Sequence, residues 1–219
     1  MAKPKKLHPL AGRALRWLDA LRRRFPALGR HRRLWEENRR YNLERDIVRG
    51  EINDQYGGET TGVHEFALGR SRMRDTGCEA IALYNALRLT EQEASLARVA
   101  HGIESGGGLI TLPFVPCGKM GTNPFSLGRT APEGLRLQRL ETIEEMDAPG
   151  VYIFSYWNGK ELRRGLHTVA VTADRNGYIV RNQRENGFTT HYHDFAHFSD
   201  TFSDRFLLGW RAERDNISE

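Results

Sequence analysis

The sequence predicts an α+β protein, in which helices come first along the chain and an antiparallel sheet follows. Apolar residues recur at helical spacing in several segments before Met146, whereas β-branched and alternating runs dominate after Gly150. Helix and strand patterns do not alternate along the chain, so a parallel sheet built from repeated strand-helix units is not expected.

The composition is that of a soluble globular protein with its own core. The chain has 219 residues, and no stretch approaches the roughly 18 consecutive apolar residues of a membrane-spanning helix. The basic amino terminus lacks a continuous apolar region, so no secretory signal peptide is expected, although export by another route stays open. Cys78 and Cys117 are too few for a disulfide framework, which favours a reducing, cytoplasmic compartment.

The amino-terminal segment carries much of the basic charge. Residues 1–45 contain 14 Lys and Arg against 4 Asp and Glu, while the whole chain contains 33 against 28, so the remainder is net acidic. A basic amphipathic helix is predicted over 10–24, a second charged helix over 32–49, and a polar, glycine-rich linker over 53–62. The predicted domains are therefore a basic helical extension, 1–55, and a main domain, 63–219.

The basic extension has three electrostatic interpretations. The first is that it binds nucleic acid, the second that it binds an anionic membrane surface or partner, and the third that it binds the acidic remainder of its own chain. Clustered arginines without interleaved aromatic residues or a base-reading motif argue against specific recognition of nucleic acid.

A helix is predicted to begin at Cys78. The segment Cys78–Leu89 is rich in helix-forming residues, and its apolar side chains are spaced for one buried face. A second helix is predicted from a capping box at Thr90–Glu93 and is expected to end by Gly102. A short helix is predicted to follow the cap and proline of Thr122–Pro124.

The second half of the chain has strand periodicity. The predicted strands are Val151–Trp157, Leu166–Thr172, Tyr178–Asn182 and Arg205–Arg211. Turn signals at Asn158-Gly159 and at Asp174–Gly177 join the first three as antiparallel neighbours.

A cysteine at the start of a helix has the setting of a nucleophile. The unpaired amides and the positive end of the helix dipole favour the thiolate and can hold an oxyanion. His167 is the candidate base, and it shares one strand face with Val169 and Val171. Glu79 follows Cys78 directly, and its negative charge is expected to raise the pKa of the thiol.

Hairpin geometry selects Asn182 as the residue that orients the imidazole. If residues 175–176 form a two-residue turn, Val169 pairs with Asn182, and His167 lies diagonal to Asn182 on the same face. A bulge in the turn would point Asn182 away, because a slip of one residue reverses the faces. Asp174 is the alternative orienting group.

Two sequence blocks resemble bacterial papain-like proteins related to the bacteriocin-processing cysteine peptidases. The segment Gly77–Leu87, GCEAIALYNAL, resembles their GCG-IA-YNAL block, and Gly121–Phe125, GTNPF, resembles the block that follows it. Their histidine strand and their Asn/Asp strand also come in this order. The resemblance implies a papain-like fold, in which a helix bearing the nucleophile packs on an antiparallel sheet bearing the base and the orienting residue; these are Cys78, His167 and Asn182.

The resemblance covers roughly residues 70–211. It implies a thiol-dependent hydrolase or acyl transferase that acts on an amide or isopeptide bond of a peptide or protein, without metal or organic cofactor. A few residues before the cysteine, where those enzymes carry a glutamine as oxyanion donor, this chain has Arg72. A further hypothesis is that the basic extension covers the active-site cleft.

The alternative function is a weak or inactive papain-like binding module, or a secreted effector or toxin domain, whose Arg-rich helices contact a membrane or a partner. Two further features are assigned no function. His191, His193 and His197 match no closed zinc ligand set, so no metal site is predicted. Cys117 is interpreted as a packing residue.

Overall fold

The structure, a computed structural model, describes residues 8–25, 31–56, 62–112, 117–159, 165–183 and 189–215. Within these ranges most helices precede a sheet whose neighbouring strands are all antiparallel, which confirms the predicted α+β class. Over the same ranges, none of the helices has the length and apolar character needed to cross a membrane.

The described helices include both predicted amino-terminal helices and the helix that starts at Cys78. In chain order they are α1 His8–Arg24, α2 Arg32–Leu43, α3 Met73–Thr76, α4 Cys78–Leu89, α5 Leu96–Ser105, α6 Leu127–Thr130 and α7 Phe195–Phe202. The second helix is shorter than predicted, because the chain after it crosses to the core, where Val48 and Ile52 are buried.

The predicted capping box at Thr90–Glu93 is wrong. The start of α5 is capped instead by the side chain of Ser95. The threonine closes the end of α4, where its hydroxyl donates to the carbonyl of Ala86 at 2.8 Å. Glu91 has a left-handed backbone conformation, with φ of 58°, and turns the chain between the two helices. Polar residues of these types suit either end of a helix, which explains the error.

The described strands form a two-stranded hairpin and a six-stranded antiparallel sheet. The hairpin is β1 Ala67–Leu68 with β2 Ser71–Arg72; the sheet strands are β3 Leu135–Leu140, β4 Gly150–Trp157, β5 Leu166–Asp174, β6 Gly177–Arg181, β7 Thr190–Tyr192 and β8 Phe206–Arg214. Their order across the sheet is β3-β8-β4-β5-β6-β7. The two edge strands, β3 and β7, are not among the predicted strands, because their charged or polar residues hide the strand pattern.

Helices cover both faces of this sheet. On one face Ile153 and Leu208 pack in the same apolar cluster as α4 and α5. On the other face Phe154 packs against Phe198 and Phe202 of α7. Neighbouring residues of β4 therefore point to opposite faces, as strand geometry requires.

Residues before the predicted linker contribute to the main core. Val48 and Ile52 belong to the cluster that contains α4 and α5. The side-chain amide of Asn42, on α2, donates to Ala67 O at 2.9 Å and accepts from Ala67 N at 2.8 Å. The two sides of the linker thus share one core. Residues 57–61 of the linker lie outside the described ranges, and the domain boundary stays a prediction.

Candidate active site

The close packing at the junction of α3 and α4 fixes the position of Cys78. The α3 helix ends at Thr76, and Gly77 donates its backbone N–H to Met73 O at 2.8 Å. A Cβ atom at position 77 would lie 2.1 Å from Met73 Sδ, so only glycine fits between α3 and α4. Cys78 is therefore held as the first residue of α4, and it is 8% exposed.

The thiol of Cys78 begins a chain of buried polar groups that crosses from α4 to the sheet. Its Sγ donates to Glu79 Oε2 at 3.2 Å. The other carboxylate oxygen, Glu79 Oε1, accepts from the Thr168 hydroxyl at 3.2 Å. Thr168 Oγ1 lies 2.8 Å from Ser155 Oγ on the neighbouring strand. The carboxylate thus has partners on both oxygens, as a buried charge requires.

Burial, rather than the helix dipole, determines the charge of the thiol. Loss of solvent raises the pKa of Cys78 well above 9.0; the negative charge and hydrogen bond of Glu79 raise it further, while a backbone hydrogen bond from Thr168 opposes the shift. Burial also raises the pKa of Glu79, to about 7. The expected thiolate is therefore not the resting form, whereas the predicted effect of Glu79 is confirmed.

His167 lies near the start of β5 with one ring nitrogen occupied. Its Nε2 is 2.5 Å from the backbone oxygen of Asn182. Because a carbonyl only accepts, Nε2 carries the hydrogen, and the neutral ring keeps Nδ1 as an acceptor. Burial lowers the pKa of His167, which favours this neutral form. The ring also stands edge-on to Tyr156, with 5.8 Å between ring centroids.

The predicted hairpin register is present, but Asn182 contacts His167 in an unexpected way. Strands β5 and β6 pair in that register as far as Ala170 with Arg181. Asn182 then leaves the strand with a φ of 61°, which turns its carbonyl, rather than its amide, towards His167. The side chain of Asn182 bonds instead to Gln55, accepting from its backbone N at 3.1 Å and donating to its Oε1 at 3.2 Å.

Gln55 borders the site, although it lies so far upstream of Cys78 in the sequence that it is not predicted as the oxyanion donor. It is buried, and its Nε2 donates to Arg74 O at 2.9 Å. It borders the same cavity as Cys78. The sequence places it inside the predicted polar linker, far from the cysteine, and only long-range packing brings it to the site. An isolated glutamine before a helix carries no sequence signal for that position.

Cys78 and His167 are both in the lining of one cavity. Cys78 and His167 both border a space of about 740 Å³, together with Glu79 and Gln55. Thr168 faces α4, where it donates to Glu79, so strand alternation turns the side chain of His167 to the opposite face of β5, beside Tyr156. Within the described residues, the hydrogen-bond partner of the thiol is Glu79, and the role of His167 as its base stays a prediction.

The remaining candidate residues lie elsewhere. Asp174 belongs to the hairpin turn, where its carboxylate accepts from the N–H of Asn176 at 2.6 Å. Cys117 is a buried, free cysteine beside Thr111. No group of three metal-ligating side chains occurs in the part of the chain that the structure describes.

Compared with known proteins, the sequence matches no protein-family model, and no curated protein is similar enough to count as a relative.

Proposed function

We propose that this protein is a thiol-dependent hydrolase or acyl transferase with a papain-like fold. The observation that carries the proposal is the cavity at the start of α4, which both Cys78 and His167 border. The packing of α4 against β4 and β5 supports the fold, since His167 lies on β5 and Asn182 follows β6. A buried nucleophile, a basic nitrogen and a space for substrate are the parts that acyl transfer requires.

In the first step, Cys78 attacks the carbonyl carbon of an amide or isopeptide bond. The Sγ–H proton passes to Glu79 Oε2, its hydrogen-bond partner, as the S–C bond forms. A carboxyl with a pKa of about 7 is suited to this task near neutral pH. Glu79 then returns the proton to the leaving amine as the C–N bond breaks, which leaves a thioester on Cys78.

In the second step, water or an amine resolves the thioester. The Nδ1 atom of His167 takes a proton from this nucleophile, because Nε2 is held by the carbonyl of Asn182. The imidazolium then returns the proton to the departing sulfur. Proton transfers therefore balance over the cycle, and neither step calls for a metal or an organic cofactor.

The amide of Gln55 is the proposed oxyanion donor. Its Nε2 carries two N–H groups, of which one donates to Arg74 O. The second is directed to the developing negative charge on the carbonyl oxygen, in the role that a glutamine before the cysteine has in papain-like enzymes. The contacts of the Gln55 side chain with Asn182 then hold the donor in place.

The expected setting of this chemistry is a reducing compartment such as the cytoplasm, because a nucleophilic thiol there stays reduced. The solvent-exposed part of α1 is the proposed contact with an anionic surface. It exposes Leu10 and Trp17 beside Arg13 and Arg16, a combination of apolar and basic side chains that is typical of helices at a membrane surface.

The test is acyl-enzyme formation with p-nitrophenyl acetate, an activated acyl donor. Intact-mass and peptide mass spectrometry locate the acetyl group on the full chain. We expect acetylation of Cys78 and none at that position in Cys78→Ser. We also expect His167→Ala to accumulate the acyl-enzyme and Glu79→Gln to form it more slowly than the wild type. Circular dichroism and thermal unfolding show whether each variant is folded.

The outcomes separate the roles. If folded His167→Ala forms no acyl-enzyme while Glu79→Gln forms it faster, the thiol proton goes to His167 and the step assigned to Glu79 is overturned. If the acetyl group reaches Cys117 as readily as Cys78, or neither, the enzymatic function itself is overturned.

One observation favours the second candidate, a papain-like binding module without catalysis. The pKa of Cys78 is raised, so the sulfur is a poor nucleophile before substrate binds. In that case the cavity binds a partner or ligand, and the wild type and Cys78→Ser bind it equally without forming an adduct.

A further inference from the structure

Two adjoining cavities extend from Cys78 along the inner side of α1. The first, of about 740 Å³, contains Cys78 and His167. The second, of about 410 Å³, shares four lining residues with the first: Trp17, Leu18, Ile110 and Leu112. Together they form a space of the size that takes organic ligands, and the proposed nucleophile borders the first of the two cavities.

The polarity of this space is uneven. Gln55, Cys78, Glu79 and His167 border the first cavity and are absent from the lining of the second. The rest of the lining is mainly apolar, although Asp75 and Lys119 border the first cavity and Asp19 and Arg22 the second; the apolar side chains that matter here are Leu15, Leu18, Ile110, Leu112, Met120 and Trp157. A ligand that fits such a space has one polar group and a long apolar body.

The helix α1, which lines this space, is attached to the rest of the protein by an ion pair and a hydrogen bond. The carboxylate of Asp19, which is 5% exposed, pairs with Arg129 at 2.8 Å. The side-chain amide of Asn123 donates to Leu15 O at 2.7 Å. These contacts hold the apolar face of α1 in position, and yet Leu15 and Leu18 are only half-buried because they border the cavity.

We propose that the acyl half of the substrate is a long, unbranched apolar chain, such as the fatty-acyl part of an amide, thioester or ester. Its carbonyl lies at Cys78, and its chain lies between α1 and the segment Ile110–Leu112. This proposal rests on the proposed function of Cys78. A peptide is a poorer occupant, because its backbone N–H and C=O groups would lack partners along apolar walls, whereas an acyl chain has no polar groups to satisfy.

The test compares p-nitrophenyl acetate, butyrate, hexanoate and octanoate on the full chain, each below its micelle concentration. We expect the second-order rate of Cys78 acylation, relative to spontaneous hydrolysis, to rise with each added methylene by up to about fourfold, the factor for full burial of one CH₂. Leu18→Gln should flatten this dependence. The control, Leu43→Gln, changes an exposed leucine of α2 away from both cavities and should keep it.

Binding is measured separately from reaction. We expect titration calorimetry to show octanamide binding to Cys78→Ala, with no heat from acetamide. Equal acylation rates for all four esters would overturn the acyl-chain proposal and leave the proposed function intact, as would a faster reaction with an acetyl-phenylalanine ester than with octanoate. Octanamide binding without acylation of the wild type by any ester would support the apolar cavity and overturn the proposed function.

Discussion

Glu79 and Cys78 form one titrating pair at the centre of the site. A papain-like motif leads to the expectation of a thiolate-imidazolium pair, but here the thiol donates a hydrogen bond to the carboxylate of the next residue, Glu79. The sequence alone identifies Cys78, His167 and Asn182 as candidates and predicts that Glu79 raises the pKa of the thiol. It does not show that burial outweighs the helix dipole, because burial depends on how α4 packs on the sheet.

The backbone conformation of Asn182 leads to a residue-scale prediction. Its φ of 61° strains an alanine but not a glycine. Both substitutions keep the carbonyl that binds His167 and remove the contacts with Gln55. We expect both variants to be less stable than the wild type, and Asn182→Gly to be more stable than Asn182→Ala by about 1 kcal/mol. Urea denaturation measures the difference; the reverse order would show that the left-handed conformation is not retained.

At the scale of single elements, the junction of α3 and α4 sets the position of the nucleophile. Gly77→Ala places a methyl group against Met73, and we expect a loss of about 2 kcal/mol in the free energy of unfolding. Gly102→Ala is the matched control: it lies inside α5, and its nearest neighbour would be Thr130 O at an ordinary 3.7 Å. The free energy of unfolding of the control should rise by about 0.5–1 kcal/mol, because alanine has a higher helix propensity than glycine. A similar change in the free energy of unfolding of both variants would show that the junction at Gly77 is not closely packed.

A buried carboxyl between α2 and α5 produces a pH dependence. Glu104 Oε1 accepts from Asn38 Nδ2 at 2.6 Å and from Gly69 N at 2.7 Å, and burial raises its pKa from 4.5 to about 7. The folded chain therefore binds this proton more tightly than the unfolded chain does. The stabilisation that comes from protonated Glu104 is complete below pH 4.5 and is lost as the pH rises to about 7.

The corresponding variant is Glu104→Gln, whose amide oxygen can still accept from Asn38 and Gly69. Between pH 4.5 and 7 we expect the free energy of unfolding of the wild type to fall by up to about 3 kcal/mol relative to that of this variant. Urea denaturation at each pH measures the difference. Parallel stability curves for the two proteins would contradict a raised pKa at Glu104.

At the scale of the whole molecule, local features were predictable and long-range ones were not. The start of α4 and the β5–β6 register follow from nearby residues, such as the turn at Asp174–Gly177. The position of Gln55 depends on contacts with distant segments, and the edge strands lack a clear alternating pattern. Sequence periodicity reports which face is buried but not what covers it.

The attachment of α1 to the rest of the molecule gives a prediction at the same scale. Asp19→Asn weakens the ion pair with Arg129, and we expect the free energy of unfolding to fall by about 2 kcal/mol. We also expect faster alkylation of Cys78, because α1 then holds its position beside the cavity less firmly. Glu37→Gln is the control, since it removes an exposed pair with Arg33 that contributes little. Unchanged stability and alkylation in Asp19→Asn would show that this pair does not hold α1.

The most direct test of the account is the rate of Cys78 alkylation by iodoacetamide as a function of pH, followed by peptide mass spectrometry so that Cys117 is counted separately. We expect an apparent pKa above 9.0 in the wild type and a lower value in folded Glu79→Gln, where the negative charge is gone. An apparent pKa below 9.0 that Glu79→Gln leaves unchanged would contradict it.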